Sequence, residues 1–228
     1  MRVPMSIVLN PLLTAQPEPR SAEILDSIKG AFAAKGFEGA SMQDLARAAG
    51  MSAGNFYRYF PSKDAIVAAL VERDLAEVQR EFTHIINSPT PHDTFRTLVR
   101  ARVERPDPGK AVIFAQIEAL AARRPEIAAL KVRMEQEILG YLIAAFARIA
   151  DVSQPEAARR FTAHAKLVML LIRGLSSCCG TAAGSPEAAP DPALAELVMA
   201  ALDRTLTEVA AAGAAFIEQS PIPLAKKA

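Results

Sequence analysis

Between Ser41 and Pro61 the chain can carry two helices of about two turns each, and nothing longer. Ser41-Met42-Gln43-Asp44 has the order of a capping box, with Asp in the place usually held by Glu. Gly50 stops the helix that begins there, Ser52 opens a second, and Pro61 ends it. A longer helical pattern precedes this pair: Ile24, Leu25, Ile28, Ala31 and Phe32 make one stripe, and Lys35-Gly36 supplies a stop. Another follows it. Ser62 is placed to cap, Asp64 suits the positive end of a helix, and Ile66 to Ile86 keep helical spacing. A helix over Lys63–Ile86 would be ~36 Å long.

Two short helices around a glycine, framed by longer ones, have the shape of a helix-turn-helix. The residue types suit it sterically. Ala46 is small where the second helix would cross, and Gly50 can take the positive φ of a tight turn. Leu45, Ala49, Met51 and Phe56 are apolar where the helices would meet. On a helical wheel centred on Phe56, Phe60 lies about 40° and Tyr59 about 60° away, so these three share the inward side. Gly54 and Arg58 point outward, with Asn55 and Tyr57 on the flanks. A position without a side chain, an amide, a phenol and a guanidinium form a face that can approach a groove, read base edges and grip phosphates.

The whole chain has 26 basic and 25 acidic residues, so it is not an overall polyanion binder. The positive charge is local: Arg47, Arg58 and Lys63, with no acid between residues 47 and 63. A 51% hydrophobic share excludes wholesale disorder, and 6% aromatics with abundant Ala favour helices over strands. Beyond residue 86 the pattern is of five more helices, punctuated near Pro89, residues 105–109, Pro125, Pro155 and Pro186. Pro125, Pro155 and Pro192 suit first-turn positions. The expected class is all-α. Residues 1–19 are read as a flexible arm, 20–65 as the helix-turn-helix domain, 66–218 as a second helical domain and 219–228 as a loose tail, with one real loop over 181–192.

The stretch from Arg20 to about Leu70 resembles the DNA-binding domain of the TetR (tetracycline-repressor-like) family. The likeness rests on Ile24-Leu25, Ala31-Phe32, Gly36-Phe37, Leu45-Ala46, Ala48-Ala49-Gly50-Met51-Ser52 and Gly54 to Asp64. It implies a dimeric transcriptional regulator, usually a repressor of a near-palindromic operator, with a ligand pocket and a dimer interface in the C-terminal helices. By position, it implies that Ser52, Ala53, Gly54, Asn55 and Arg58 contact bases or nearby backbone. Tyr57, Tyr59 and Lys63 fall at phosphate-contacting positions, and Ser41 at a capping position that also touches a phosphate. Tyr59 stands where His is more frequent, and it can donate a hydrogen bond without being charged. The plainer alternatives remain: core aromatics for Tyr57 and Tyr59, solvated charges for Arg58 and Lys63, a polar helix residue for Asn55.

The C-terminal two-thirds offers candidates by region only. Phe82, Phe95, Phe114, Ile117, Tyr141 and Phe146 are large side chains for a pocket binding a small-molecule effector, with Gln116 and Glu118 as further polar anchors; plain core packing would use the same residues. Phe161, Ala165, Val168 and Ile172 form one stripe, and Leu194, Leu197, Val198 and Ala201 another. Two such helices per subunit would make a four-helix bundle in a homodimer, although packing within one subunit could produce the same stripes. His84, His92 and His164 have no metal-like spacing, and no catalytic set is visible, so neither a metal, a cofactor nor an enzyme is expected. Neighbouring Cys178 and Cys179 favour a reducing compartment over a disulfide framework. No window approaches 18 uncharged apolar residues, and Ile7-Val8-Leu9 is too short a run for a signal peptide, so the expected location is the cytoplasm and no membrane partner is expected. The rival to a DNA-binding regulator is a helical ligand-binding or interaction module without specific DNA binding.

Overall fold

The computed structural model describes residues 19–105, 107–180 and 191–219. The expected arm, loop and tail therefore lie outside the described residues except at their edges, as do the side chains of Cys178 and Cys179. All regular structure among the described residues is helical. The chain divides into two compact units, Met1–Glu77 and Val78–Ala228.

The N-terminal unit holds α1 (Pro19–Gly39), α2 (Met42–Ala48), α3 (Ala53–Tyr59) and the first half of α4 (Lys63–Asn87). Helix α1 reaches past its expected stop. Gly36 leaves helical geometry at φ 68° and ψ 169°, and a further turn follows in which the Ala40 N–H donates to the Gly36 carbonyl at 3.2 Å. The core is the stripe that the spacing selects: Ile24, Leu25, Ile28 and Phe32 of α1 are buried with Leu45, Ala46, Phe56 and Phe60. Phe32 stacks on Phe37 with ring centroids 4.7 Å apart. Ala49, Met51 and Ala31 are only half-buried.

The boundary between the units falls at Glu77 rather than residue 65. The early turns of α4 belong to the N-terminal core, burying Ile66, Val67, Leu70, Val71 and Leu75. Arg73 extends that attachment, donating to Asp26 at 2.9 Å and to the Ala22 carbonyl at 3.4 Å.

The C-terminal unit holds the rest of α4 with α5 (Pro91–Glu104), α6 (Pro108–Ala121), α7 (Pro125–Ala150), α8 (Gln154–Gly180) and α9 (Pro192–Gln219). Proline opens α5, α6, α7 and α9, where its fixed φ fits and its missing N–H costs nothing. A train of aromatic rings 5.8–6.4 Å apart runs through the interior: Tyr141, Phe82, Phe95, Phe146, Phe161 and His164. Full burial of one such phenylalanine contributes about 1.5–3 kcal/mol. Polar ties fix the edges. Arg102 pairs with Glu81 at 2.8 Å, Arg148 donates to the Ile86 carbonyl at 3.0 Å, and Arg96 holds Asp203 at 2.6 and 3.1 Å. No helix among the described residues is long and apolar enough to cross a membrane.

Candidate DNA-binding surface

The turn between α2 and α3 is closed by its own backbone. Gly50 sits at φ 65°, its N–H donates to the Arg47 carbonyl at 3.0 Å, and the Met51 N–H donates to the Ala46 carbonyl at 2.9 Å. This paired closure of a helix end needs a left-handed residue, which is why glycine stands there. At the start of α2 the capping box forms in full with Asp44. The Ser41 hydroxyl accepts the Asp44 N–H at 3.1 Å and donates to the Asp44 carboxylate at 2.7 Å, which also accepts the Ser41 N–H at 3.0 Å. Lys35 donates to the other oxygen of Asp44 at 2.8 Å. These bonds, the one from Lys35 first and those from Ser41 next, hold the Asp44 carboxyl well below the usual carboxylate range.

Ser52 caps α3 by accepting the Asn55 N–H at 3.4 Å. The two faces of α3 then separate. Phe56 and Phe60 are buried, their rings 5.7 Å apart, while Ala53, Gly54, Asn55, Tyr57 and Arg58 are all exposed. Tyr57 is 46% exposed, a high value for a tyrosine, which argues against the core-aromatic reading of it. Tyr59 is half-buried, between its two readings. A Cβ built on Gly54 would meet no atom within 4 Å. Arg58 makes no hydrogen bond or ion pair with the described residues, so its guanidinium is available to an outside anion. Arg47, at the end of α2, has a 79% exposed side chain with Asp44 3.6 Å away. Sequence reading used Arg47 only as part of the local charge, yet its exposure beside α3 makes it a further candidate phosphate contact.

Lys63, expected at a phosphate, is the first residue of α4. Its ammonium is turned to the end of α1, donating to the carbonyls of Phe37 and Glu38 at 2.9 and 3.0 Å.

Residues 24–70 match the model of the family described as bacterial regulatory proteins, tetR family. The HTH-type transcriptional regulator EthR of Mycobacterium tuberculosis is 27% identical over 183 residues, covering 78% of this chain and 83% of EthR. Residues 24–70 carry the TetR-family DNA-binding signature. Another relative, the HTH-type transcriptional regulator YuxN of Bacillus subtilis, is 34% identical over 80 residues. That match covers 35% of this chain and about a quarter (26%) of YuxN. Among solved structures, Salmonella enterica GusR shares the fold with a TM-score of 0.63 at 23% identity, over 85% of this chain and 98% of GusR. The TetR-family signature and the helix-turn-helix geometry thus coincide on the same residues.

In the C-terminal unit the expected groupings are only partly brought together. Phe82, Phe95, Tyr141 and Phe146 meet in the aromatic train, whereas Phe114 and Ile117 lie on α6 outside that cluster. Burial, with Glu137 close by, pushes the Tyr141 phenol above its ordinary pKa. Of the expected dimer stripes, the first turns inward and the second is divided. Phe161, Ala165, Val168 and Val198 are buried in the subunit's own core, and Ile172 and Ala201 are half-buried, so the first stripe faces inward. The exposed large apolar side chains among the described residues of this unit are Val132 on α7, Leu167 and Leu170 on α8, and Leu194 and Leu197 of the expected second stripe on α9, with Leu170 and Leu197 each 68% exposed. Among the described residues no group of three or more His, Cys, Asp or Glu is placed to hold a metal.

Proposed function

We propose that this protein is a ligand-responsive transcriptional repressor that binds a near-palindromic DNA operator as a homodimer in the cytoplasm. The observation that carries the reading is the two-sided α3: buried Phe56 and Phe60 hold the helix down while Gly54, Asn55, Tyr57 and Arg58 stand free. Asn55 can make paired hydrogen bonds to an adenine edge, and Arg58 can pair with guanine or a phosphate. Gly54 lets the helix approach the groove, and Ser52 and Ala53 at its start come near the backbone. Ser41, Tyr57, Tyr59 and Arg47 supply the flanking phosphate contacts. Two copies of α3 would then enter major grooves ~34 Å apart or a multiple of it.

The exposed leucines of α8 and α9 support a second copy of the chain as the partner, because side chains this apolar are costly to leave in water. An effector bound among the large side chains of the C-terminal unit, with Tyr141 as a polar anchor, would act through α4, the helix that both units share. It lowers operator affinity only to the extent that it prefers the conformation that does not fit DNA.

Selection of genomic DNA fragments by the purified protein, followed by salt titration, tests this. A palindromic site bound tightly with a steep salt slope is the expected result. Equal, weak binding to every fragment would instead favour a ligand-binding module without specific DNA recognition.

A further inference from the structure

An ammonium group has three N–H donors, and the structure shows where two of those on Lys63 go. They meet the carbonyls of Phe37 and Glu38 at 2.9 and 3.0 Å, and the same nitrogen lies 5.9 Å from the centroid of the Phe37 ring. These carbonyls follow Gly36, where α1 leaves helical geometry, and they belong to the negative end of a helix whose last acceptors lack intrahelical partners. Phe37 is itself buried and stacked on Phe32. Three residues beyond Glu38 stands Ser41, the cap that sets where α2 begins.

We propose that Lys63 is a positioning residue rather than a phosphate ligand: its ammonium ties the first residue of α4 to the α1 end and so holds the start of α2 in register with α3. This deepens the DNA-binding reading and rests on it for its effect on affinity. The physical reason is a competition. The two carbonyls, one of them on a buried residue, already take two of the three N–H donors, so a phosphate is offered only the third unless it draws the ammonium off acceptors that would lose their charged donor. Arg58, which has no such engagement, neutralises phosphate without that cost.

The experiment compares Lys63→Met and Arg58→Gln on the duplex fragment that the wild-type protein selects, at a temperature where circular dichroism shows all three proteins folded. Lys63→Met should weaken binding roughly tenfold while leaving the slope of log affinity against log salt unchanged. Arg58→Gln should lower that slope by ~0.9, the release expected for one phosphate contact. A slope loss in Lys63→Met equal to that in Arg58→Gln overturns the proposal, and so does a lowered melting temperature with unchanged affinity. A readout without DNA separates this from failure of the functional reading. Amide hydrogen exchange over residues 40–45 should quicken about tenfold in Lys63→Met, with exchange at Leu25 and Ile28 unchanged. If no fragment is selected, the DNA-binding reading fails while exchange still decides on the strut, and unchanged exchange at residues 40–45 overturns it.

Discussion

Gly213 lies against Ala150 so closely that a Cβ on it would stand 2.0 Å from the Ala150 carbonyl oxygen and 2.8 Å from its Cα. Here α9 crosses the end of α7, and the only side chain that fits is none. Gly213→Ala gains helix propensity of about 1 kcal/mol but must push two backbones apart, and overpacking of this kind costs about 1–3 kcal/mol. The net expectation is a less stable C-terminal unit, read as a lower midpoint in urea denaturation. A raised midpoint would mean that the crossing is looser than described.

On α3, Arg58→Ala and Tyr57→Phe should each weaken binding to the selected DNA site without lowering the melting temperature by more than a degree or so, since both side chains are exposed. Phe56→Ala should do the reverse, with about 3–5 kcal/mol of stability lost from a fully buried ring. Unchanged affinity in both surface variants would move the recognition face elsewhere.

Asp44 gives the N-terminal unit a dependence on acid. Its folded pKa is depressed by Lys35 and Ser41, so its contribution is fully present above its unfolded pKa of about 3.9 and fades as pH falls further. Asp44→Asn should therefore melt below the wild type at pH 7, and the gap should narrow below about pH 4. Thermal melts across that range read it directly, and a gap independent of pH would mean that the ionised carboxylate is not what holds the cap.

For assembly, Leu170→Lys with Leu197→Lys should convert a dimer to a monomer in sedimentation, because both side chains project from the fold. Phe161→Ala, on the inward stripe, should lower stability instead. A dimer that survives both lysines would place the interface on another surface.

Most of the N-terminal unit could be read from local signals. Ser41, Gly50, Ser52 and Pro61 act within a few residues of themselves, so the helix limits and the inward face of α3 follow from spacing alone. The unit boundary could not be read that way. Helix α4 keeps its apolar period straight through Glu77, and nothing local marks where its packing partners change. The inward face of α8 is not legible locally for a related reason. Phe161, Ala165 and Val168 recur at helical spacing, but Leu167 and Leu170 do so too, and only neighbouring helices decide which stripe turns inward. Lys63 was hidden by distance, its acceptors lying 26 and 25 residues away in the chain.

The bare Cα of Gly54 has a consequence for how such a protein can change. Because a Cβ there would touch nothing, Gly54→Ala should leave Phe56 and Phe60 in place while changing the outward face of α3, the face proposed to meet DNA. On that reading, recognition and packing are separable at residue 54. A lineage could then acquire a new operator preference by substitution at residue 54 with no compensating change in the core, and a library of good helix formers varied there would report on DNA preference with little loss of stability.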